Sequence, residues 1–530
     1  MHIMRLLISV AYLVLMCSCC LWAQPYDLLL TGGKILDGSG NPWFYGDVAL
    51  KDGKIVRIGN LAADSAGRVL NISGLMVAPG FIDVHTHIEG SGLDIPTADN
   101  FVYDGVTTVV TGNCGSSMTD IARYFSALDS VKTSINIATL VGHNSVRRVV
   151  MGESQRDPSP QEQSQMEELV STAMRQGAVG FSTGLIYVPG TYSKTPEVIG
   201  LAKAAAQYHG VYASHIRNEG DQITSAIEEA IDIGRKSKMP VEISHFKVTY
   251  KPNWGRSMET IAQVNQARMN GVDVTVDQYP YTASSTSLNT VLPSWVFSGG
   301  TDSVQHRLSD PGTRKKILKE MLQTLKRKQL RNYSYAVVAR YSADSTRNGK
   351  SISEINTELG RRSKSREEAE TILEMVKRGG AQMVFYSMHE NDLKRIMQSP
   401  FVMVASDAGI ARFGSGVPHP RAYGTNARVL GRYVRELNVI TLEDAIRRMT
   451  SLPAQKFKLH GRGMIREGMA ADIVVFDENK IIDRSTFSNP HAYPEGINYV
   501  IVNGELVIDK GKHTGVRGGV VLRGPGYLGN

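Results

Sequence analysis

The sequence predicts an α/β fold: a (β/α)8 TIM barrel, flanked by a small β-sandwich that the two ends of the chain build together, with a subdomain inserted late in the barrel. Three observations carry that expectation. Short β-branched strands alternate with amphipathic helices from about residue 77 to 460. Strand-and-turn patterns without helices occupy both flanks, 24–76 and 461–530. The ends of the barrel strands carry histidine, cysteine or aspartate again and again.

A chain of 530 residues can bury more than one core, since a domain takes roughly 150 residues and a barrel up to about 250 or more. The formal charge of +8 is mild and diffuse. It favours small anionic ligands and does not point to nucleic acid.

The first 23 residues read as a secretory signal peptide. His2 and Arg5 precede an apolar run from Leu6 to Leu15, and small residues lead to Ala23-Gln24. Cleavage after Ala23 makes the protein exported, periplasmic or secreted. Acylation at Cys17, Cys19 or Cys20 is the alternative and would leave a lipid anchor. Nothing later reaches 18 consecutive apolar residues, so no membrane span is expected. Of the four cysteines, cleavage leaves Cys114 alone. One thiol makes no internal disulfide, so Cys114 is either a buried small hydrophobe or a thiol kept for chemistry.

In chain order, Tyr26–Thr31 alternates into Gly32-Gly33, and Asp47–Gly53 turns into Lys54–Ile58 as a hairpin. The matching pieces at the far end are Asp472–Phe476, Val500–Val502 and Glu505–Ile508, with Asn503-Gly504 as a turn. Between these flanks, the first barrel strand holds Phe81, Ile82 and Val84 after Pro79-Gly80. Further strands are expected at 106–111, 134–141, 178–183, 211–215, 241–245, 272–279 and 401–407. Met166, Leu169, Val170 and Ala173 place a helix over 161–176, closed by Gly177. Ile223, Ile227, Ala230 and Ile231 mark another, and Thr441–Asp444 opens a later one. The stretch from about 286 to 390 exceeds one strand–helix connection and reads as a subdomain over the barrel mouth. Its basic helix, Arg314 to Lys328, has Ile317, Leu318, Met321, Leu322 and Leu325 on one face. The charges then form a solvated face rather than a nucleic-acid surface.

The strand ends carry the chemistry. Residues i and i+2 of a strand share a face, so His85 and His87 aim together and Thr86 turns away. Cys114 lies past the second strand and His143 past the third; His215, His245 and Asp407 end the fifth, sixth and eighth. In a barrel these ends converge where active sites are built. Imidazole, thiolate and carboxylate suit zinc, and the surplus of donors leaves room for two ions. Zinc polarises a carbonyl and lowers the pKa of a coordinated water to about 7. Asp407 beside it can serve as general base and then protonate a leaving nitrogen. The implied chemistry is hydrolysis of an amide-like bond.

These motifs resemble the amidohydrolase superfamily, first through Pro79-Gly-Phe-Ile-Asp83 and His85-Thr-His87. Gly105–Gly115 with its Asn-Cys-Gly, Val141-Gly-His-Asn144, Gly180–Leu185, Ser214–Glu219, Glu242–His245, Ser406-Asp407 and Pro418–Arg421 sharpen it to the N-acyl-D-amino-acid deacylases, or D-aminoacylases. The match runs from about 26 to 510. The resemblance implies that Cys114, His215 and His245 hold a tight zinc. It implies that His85, His87 and Asp407, sharing Cys114, form a second, weaker position. Asp407 would be the catalytic acid/base and His143 would sit near the scissile carbonyl. Lys247, Tyr279 and Arg421 would clamp the α-carboxylate of an anionic N-acyl-D-amino acid, and Tyr187 would line the pocket. One departure is that Ile88-Glu89-Gly90 follows His87 where aspartates are expected, which leaves the substrate subclass open. Alternatives are hydrolysis of a cyclic amide or dipeptide, as in hydantoinase-, dihydroorotase- or D-dipeptidase-like enzymes, and, remotely, a non-catalytic binding protein.

Overall fold

Eight parallel strands form the barrel in sequence order: Phe81–Asp83, Val106–Thr111, Asn136–Gly142, Gly180–Gly184, Val211–His215, Val241–Ile243, Val274–Gln278 and Val402–Val404. The seam between first and last closes just beyond them. Thr86 bridges Ala408, the His87 amide donates to Ala408 O, and the Asp407 amide donates to His85 O, both at 2.9 Å. The computed structural model describes residues 26–61 and 66–528, so the leader read over 1–23 lies outside the described residues.

The strands are buried on both faces, as parallel strands under helices must be. Alternation divides their side chains. Ile82, Val84, Val110, Ala138, Leu140, Val179, Val211, Ala213, Met403 and Ala405 fill the barrel with Phe457 and Leu459. Val109, Ile137, Val141, Phe181, Tyr212, Ile243, Val276 and Val402 face the helix layer. The helix Pro160–Arg175 starts with a full capping box on Ser159 and Glu162, and buries Met166, Val170, Ala173 and Met174.

The flanking strands form one nine-stranded sheet drawn from both ends of the chain. Strand Tyr26–Ile35 is its pivot. Leu28–Leu30 pairs with Ala66–Asn71 on one side and with Phe44–Lys51 on the other, then Lys34-Ile35 pairs with Met76-Val77 after an irregularity at Leu30/Gly33. The sheet folds over a core of its own, where Leu28, Leu30, Val48, Leu50 and Ile55 meet Ile473, Val475, Tyr499 and Ile501. The period of two explains the attachment to the barrel: Val474, Phe476, Val500 and Val502 point the other way, into the main core. The final segment departs from expectation. Past His513 the chain leaves the sheet and runs along the start of the third barrel strand, where Val521 bridges Ile137 and the Leu522 amide donates to Ile137 O at 2.8 Å. Glycine makes that approach possible, since a Cβ on Gly519 would lie 2.0 Å from Ile135 O.

The insertion lies between the last two barrel strands. Strands Ala283–Ser287, Ala336–Arg340 and Gln382–Tyr386 form an antiparallel sheet. Helices Pro311–Arg327 and Ser365–Lys377 cover it, with Ile317, Leu318, Met321 and Leu325 inside a separate core. Among the described residues no helix is long and apolar enough to cross a membrane.

Candidate metal centre

Three of the predicted ligands sit in backbone conformations that propensity does not foresee. Cys114, His245 and Asp407 have φ of 52°, 38° and 52°. Left-handed backbone in a non-glycine residue costs energy and gathers at functional sites. Here each such residue follows a strand, and the turn brings its side chain to the common centre. Two glycines frame Cys114 for the same reason. A Cβ on Gly112 (φ 77°) would lie 2.2 Å from Leu140 O, and one on Gly115 (φ 75°) 2.2 Å from Asn144 Oδ1.

The donors converge as three groups, two of which share Cys114. Its Sγ lies 3.6 Å from His215 Nδ1 and 3.7 Å from His245 Nε2, and those two nitrogens are 2.7 Å apart. Zinc bonds of about 2.3 Å to sulfur and 2.05 Å to nitrogen put tetrahedral S and N ligands roughly 3.5 Å apart. The sulfur–nitrogen spacings therefore fit zinc as they stand. On the other side, His85 Nε2 is 3.3 Å from Sγ and 3.5 Å from Asp407 Oδ1, and His87 Nε2 is 3.2 Å from the same oxygen. His85, His87 and Cys114 form one ligand-spaced group, Cys114, His215 and His245 a second, and His85, His245 and Asp407 a third.

The surroundings favour the ionised forms that bind metal. Burial would raise the Cys114 thiol, but His85, His215 and His245 outweigh it and hold the thiol well below its ordinary value. Asp407 is likewise held well below the usual carboxylate range, because Arg421, His85 and His87 overcome the penalty of burial.

A further layer, missed from the sequence, orients the rings. Asp277 places Oδ2 3.0 Å from His85 Nδ1 and accepts the His245 amide on Oδ1 at 2.8 Å. Glu219 Oε1 is 3.0 Å from His245 Nδ1, 2.5 Å from Lys247 Nζ and 4.0 Å from His215 Nε2. Carboxylates on the far ring nitrogen fix the tautomer and aim the near one at the metal. Glu219 stood inside the quoted Ser214–Glu219 motif and Asp277 near the end of the seventh strand. Neither ends a strand, so position alone did not flag them.

Two expected roles change. His143 stands apart: its Nε2 is 2.9 Å from Glu197 Oε1, which also accepts from Arg147 Nε at 3.0 Å, and its ring packs edge-on against Phe181. It opens the helix His143–Met151, whose first turn carries the ring sideways into the helix layer rather than toward the donors. Lys247 is consumed by Glu219 instead of being free for a substrate carboxylate. Tyr279 is buried between Lys247 and Arg421, whose cations lie 5.7 and 4.6 Å from its ring centre. Arg421 is 5% exposed. Its Nη1 forms an ion pair with Asp407 Oδ2 at 2.7 Å, and Nη2 donates to Ser285 O at 3.3 Å.

Two cavities meet at the centre. One of about 900 Å³ is lined by His87, Cys114, Arg340, Asp407, Arg412 and Arg421; the other, about 550 Å³, by His215, Glu219, His245, Lys247 and Tyr279. Tyr187 and Asp407 line both. The Tyr187 hydroxyl accepts from Thr286 Oγ1 at 3.1 Å, which ties the loop after the fourth strand to the insertion.

Comparison with known proteins agrees with this geometry. The model of the amidohydrolase family matches residues 68–508. An N-acyl-D-glutamate deacylase of Alcaligenes xylosoxydans xylosoxydans is 36% identical, covering 91% of this chain and 93% of its own. A D-aminoacylase from the same organism is 34% identical over 94% and 98%. The crystal structure of an N-acyl-D-glutamate deacylase from Bordetella bronchiseptica, complexed with zinc and a phosphonate inhibitor, superposes with a TM-score of 0.81 at 35% identity, over 94% of this chain and 99% of that one. With the barrel, the flanking sheet and the cysteine-centred donor set in place, this chain belongs to the amidohydrolases, in their N-acyl-D-amino-acid deacylase family.

Proposed function

We propose that the protein hydrolyses the amide bond of N-acyl-D-amino acids, releasing a carboxylate and a free D-amino acid. The observation that carries this reading is the buried guanidinium of Arg421, ion-paired with Asp407 at 2.7 Å and lining the cavity that reaches the metal donors. A guanidinium carries five N–H donors in a planar fork, enough to keep Asp407 and still take a substrate carboxylate.

Cys114, His215 and His245 would hold the tight zinc, with His85, His87 and Asp407 as a second, weaker position. When bound, zinc supplies Lewis acidity toward the acyl carbonyl and an acidified water. The chain's own groups do the rest. Asp407, low in pKa and within reach of His85 and His87, accepts a proton from the attacking water and delivers it to the departing nitrogen. Arg421 holds the α-carboxylate, and Tyr279 backs the guanidinium through a cation–π contact. Tyr187 lines both cavities and would contact the bound substrate. The apolar leader at 6–15 supports export of the enzyme, which fractionation of the producing cell tests.

The experiment is amine release from paired N-acetyl-D- and N-acetyl-L-amino acids by the zinc-loaded protein. Turnover of the D series alone supports the reading. Zinc-loaded protein that turns over neither series sinks it and moves attention to cyclic amides and dipeptides.

A further inference from the structure

The two cavities differ in what their charged groups are doing. In the smaller one the charges are engaged. Lys247 pairs with Glu219 at 2.5 Å, Arg327 with Asp221 at 3.4 Å, Lys328 donates to the Tyr250 hydroxyl at 2.8 Å, and Glu320 accepts from the Trp295 indole at 3.0 Å. In the larger one four arginines face two aspartates, Asp94 and Asp407. Arg148 is spoken for by Glu153 at 3.3 Å and by Val188 O. Arg340 and Arg412 are exposed, and among the described residues neither side chain has an ion pair or hydrogen bond. Buried Arg421, ion-paired with Asp407 at 2.7 Å, lines the same cavity.

The backbone holds the two free arginines at fixed places. Arg340 ends a strand of the inserted sheet, Ala336–Arg340. The loop that follows the eighth barrel strand is stitched to it, since the Val417 amide donates to Ala339 O at 2.8 Å. Arg412 rides on that loop, where the neighbouring Ala411 amide donates to Asn100 Oδ1 at 3.2 Å and the Ser415 amide to Arg412 O at 3.1 Å. Insertion and barrel thus present one guanidinium each to one cavity.

We propose that Arg340 and Arg412 form a second anion subsite beside Arg421, so that the preferred substrate is an N-acyl-D-amino acid with an acidic side chain. The proposal rests on the deacylase reading. With the α-carboxylate on Arg421, the amino-acid half fills the larger cavity and the acyl group takes the smaller. A side-chain carboxylate then meets planar guanidinium donors that nothing else occupies. Because both arginines are exposed, the attraction is screened by salt and is expressed in binding rather than in the chemical step.

The test compares N-acetyl-D-glutamate, N-acetyl-D-leucine and N-succinyl-D-leucine on the native enzyme, Arg340→Ala, Arg412→Ala and the double variant. The KM for N-acetyl-D-glutamate is expected to rise about tenfold in each single variant, with kcat kept. The KM for N-acetyl-D-leucine stays put, and only the glutamate KM climbs with ionic strength. Arg→Lys at either position recovers part of the loss. An unchanged glutamate KM in the double variant overturns the subsite, as does an equal rise for leucine. A selective rise for N-succinyl-D-leucine places the anion on the acyl half and overturns the side-chain assignment. If no N-acyl-D-amino acid is turned over, the deacylase reading fails by itself. The subsite is then judged by thermal shift of the zinc-loaded protein with glutarate against butyrate. Stabilisation by glutarate that the double variant loses upholds it, and equal response to both acids overturns it.

Discussion

Glu219 Oε1 sits 3.0 Å from His245 Nδ1, and the same oxygen holds the ammonium of Lys247 at 2.5 Å. One carboxylate therefore aims a metal-directed imidazole and neutralises the nearest buried cation. Glu219→Ala would leave Lys247 unpaired beside His245 and let the ring rotate. The expected loss of zinc affinity is about 10- to 100-fold, measured by competition with a chelator, while Glu219→Gln, which keeps an acceptor, loses less. Unaltered zinc affinity in both variants would show that Glu219 does not orient the ligand.

Cys114 and Asp407 should separate binding from chemistry. Cys114→Ala removes the sulfur shared by two of the three donor groups, so the purified variant is expected to carry little zinc. Asp407→Asn leaves Cys114, His215 and His245 untouched, and should retain the tight ion while kcat falls by about 10²- to 10⁴-fold. Metal content read beside kcat decides the matter: a zinc-free Asp407→Asn protein would make Asp407 a holder of the tight ion instead of the proton carrier.

His143 is a packing and hydrogen-bonding residue in this structure, facing Glu197 and Phe181. His143→Ala leaves a buried carboxylate short of one partner, at a cost of roughly 1–3 kcal/mol. A lower Tm with kcat within a few-fold of native is the expected result. A collapse of kcat in a variant that melts normally would return His143 to the active site.

Lys456 gives a pH-dependent test away from the metal. Burial outweighs the help of Asp273 and pushes its pKa down to about 8 from an ordinary 10.5. The folded state thus binds this proton less tightly than the unfolded chain does. Stability is lost as pH falls from the unfolded value through about 8, and the penalty is constant below that. Lys456→Met removes the penalty, so its Tm advantage over native should be larger at pH 7 than at pH 10.5, by the equivalent of roughly 3 kcal/mol at most. Equal Tm differences at the two pH values would mean that Lys456 is not desolvated as described.

The eight barrel strands, the pairing of the two ends and the late insertion were all legible in hydrophobic period and turn residues. Period two marks a strand, and alternation of strands with helices admits few architectures. The donors were legible because strand ends share one face of a barrel, so a histidine, cysteine or aspartate there is placed by topology. Residues set by a helix turn or a hydrogen bond followed another rule. His143 comes next after its strand, as Cys114 nearly does, yet it opens a helix and points away. Lys247 follows two residues after His245, yet Glu219 claims its ammonium.

The sequence by itself determined the barrel and which residues gather as candidate metal donors, because both follow from local period and from where each strand stops. Tertiary structure alone decided which cations remain free. Lys247, Arg421, Arg340 and Arg412 are chemically similar in one dimension. Glu219, the partner of Lys247, follows a different barrel strand; Asp407 meets Arg421 across the loop that follows the eighth; for Arg340 and Arg412 no partner is present among the described residues. Ion pairing depends on distances of a few ångströms between segments far apart in the chain, and those exist only once the barrel, its insertion and its last loop have packed together.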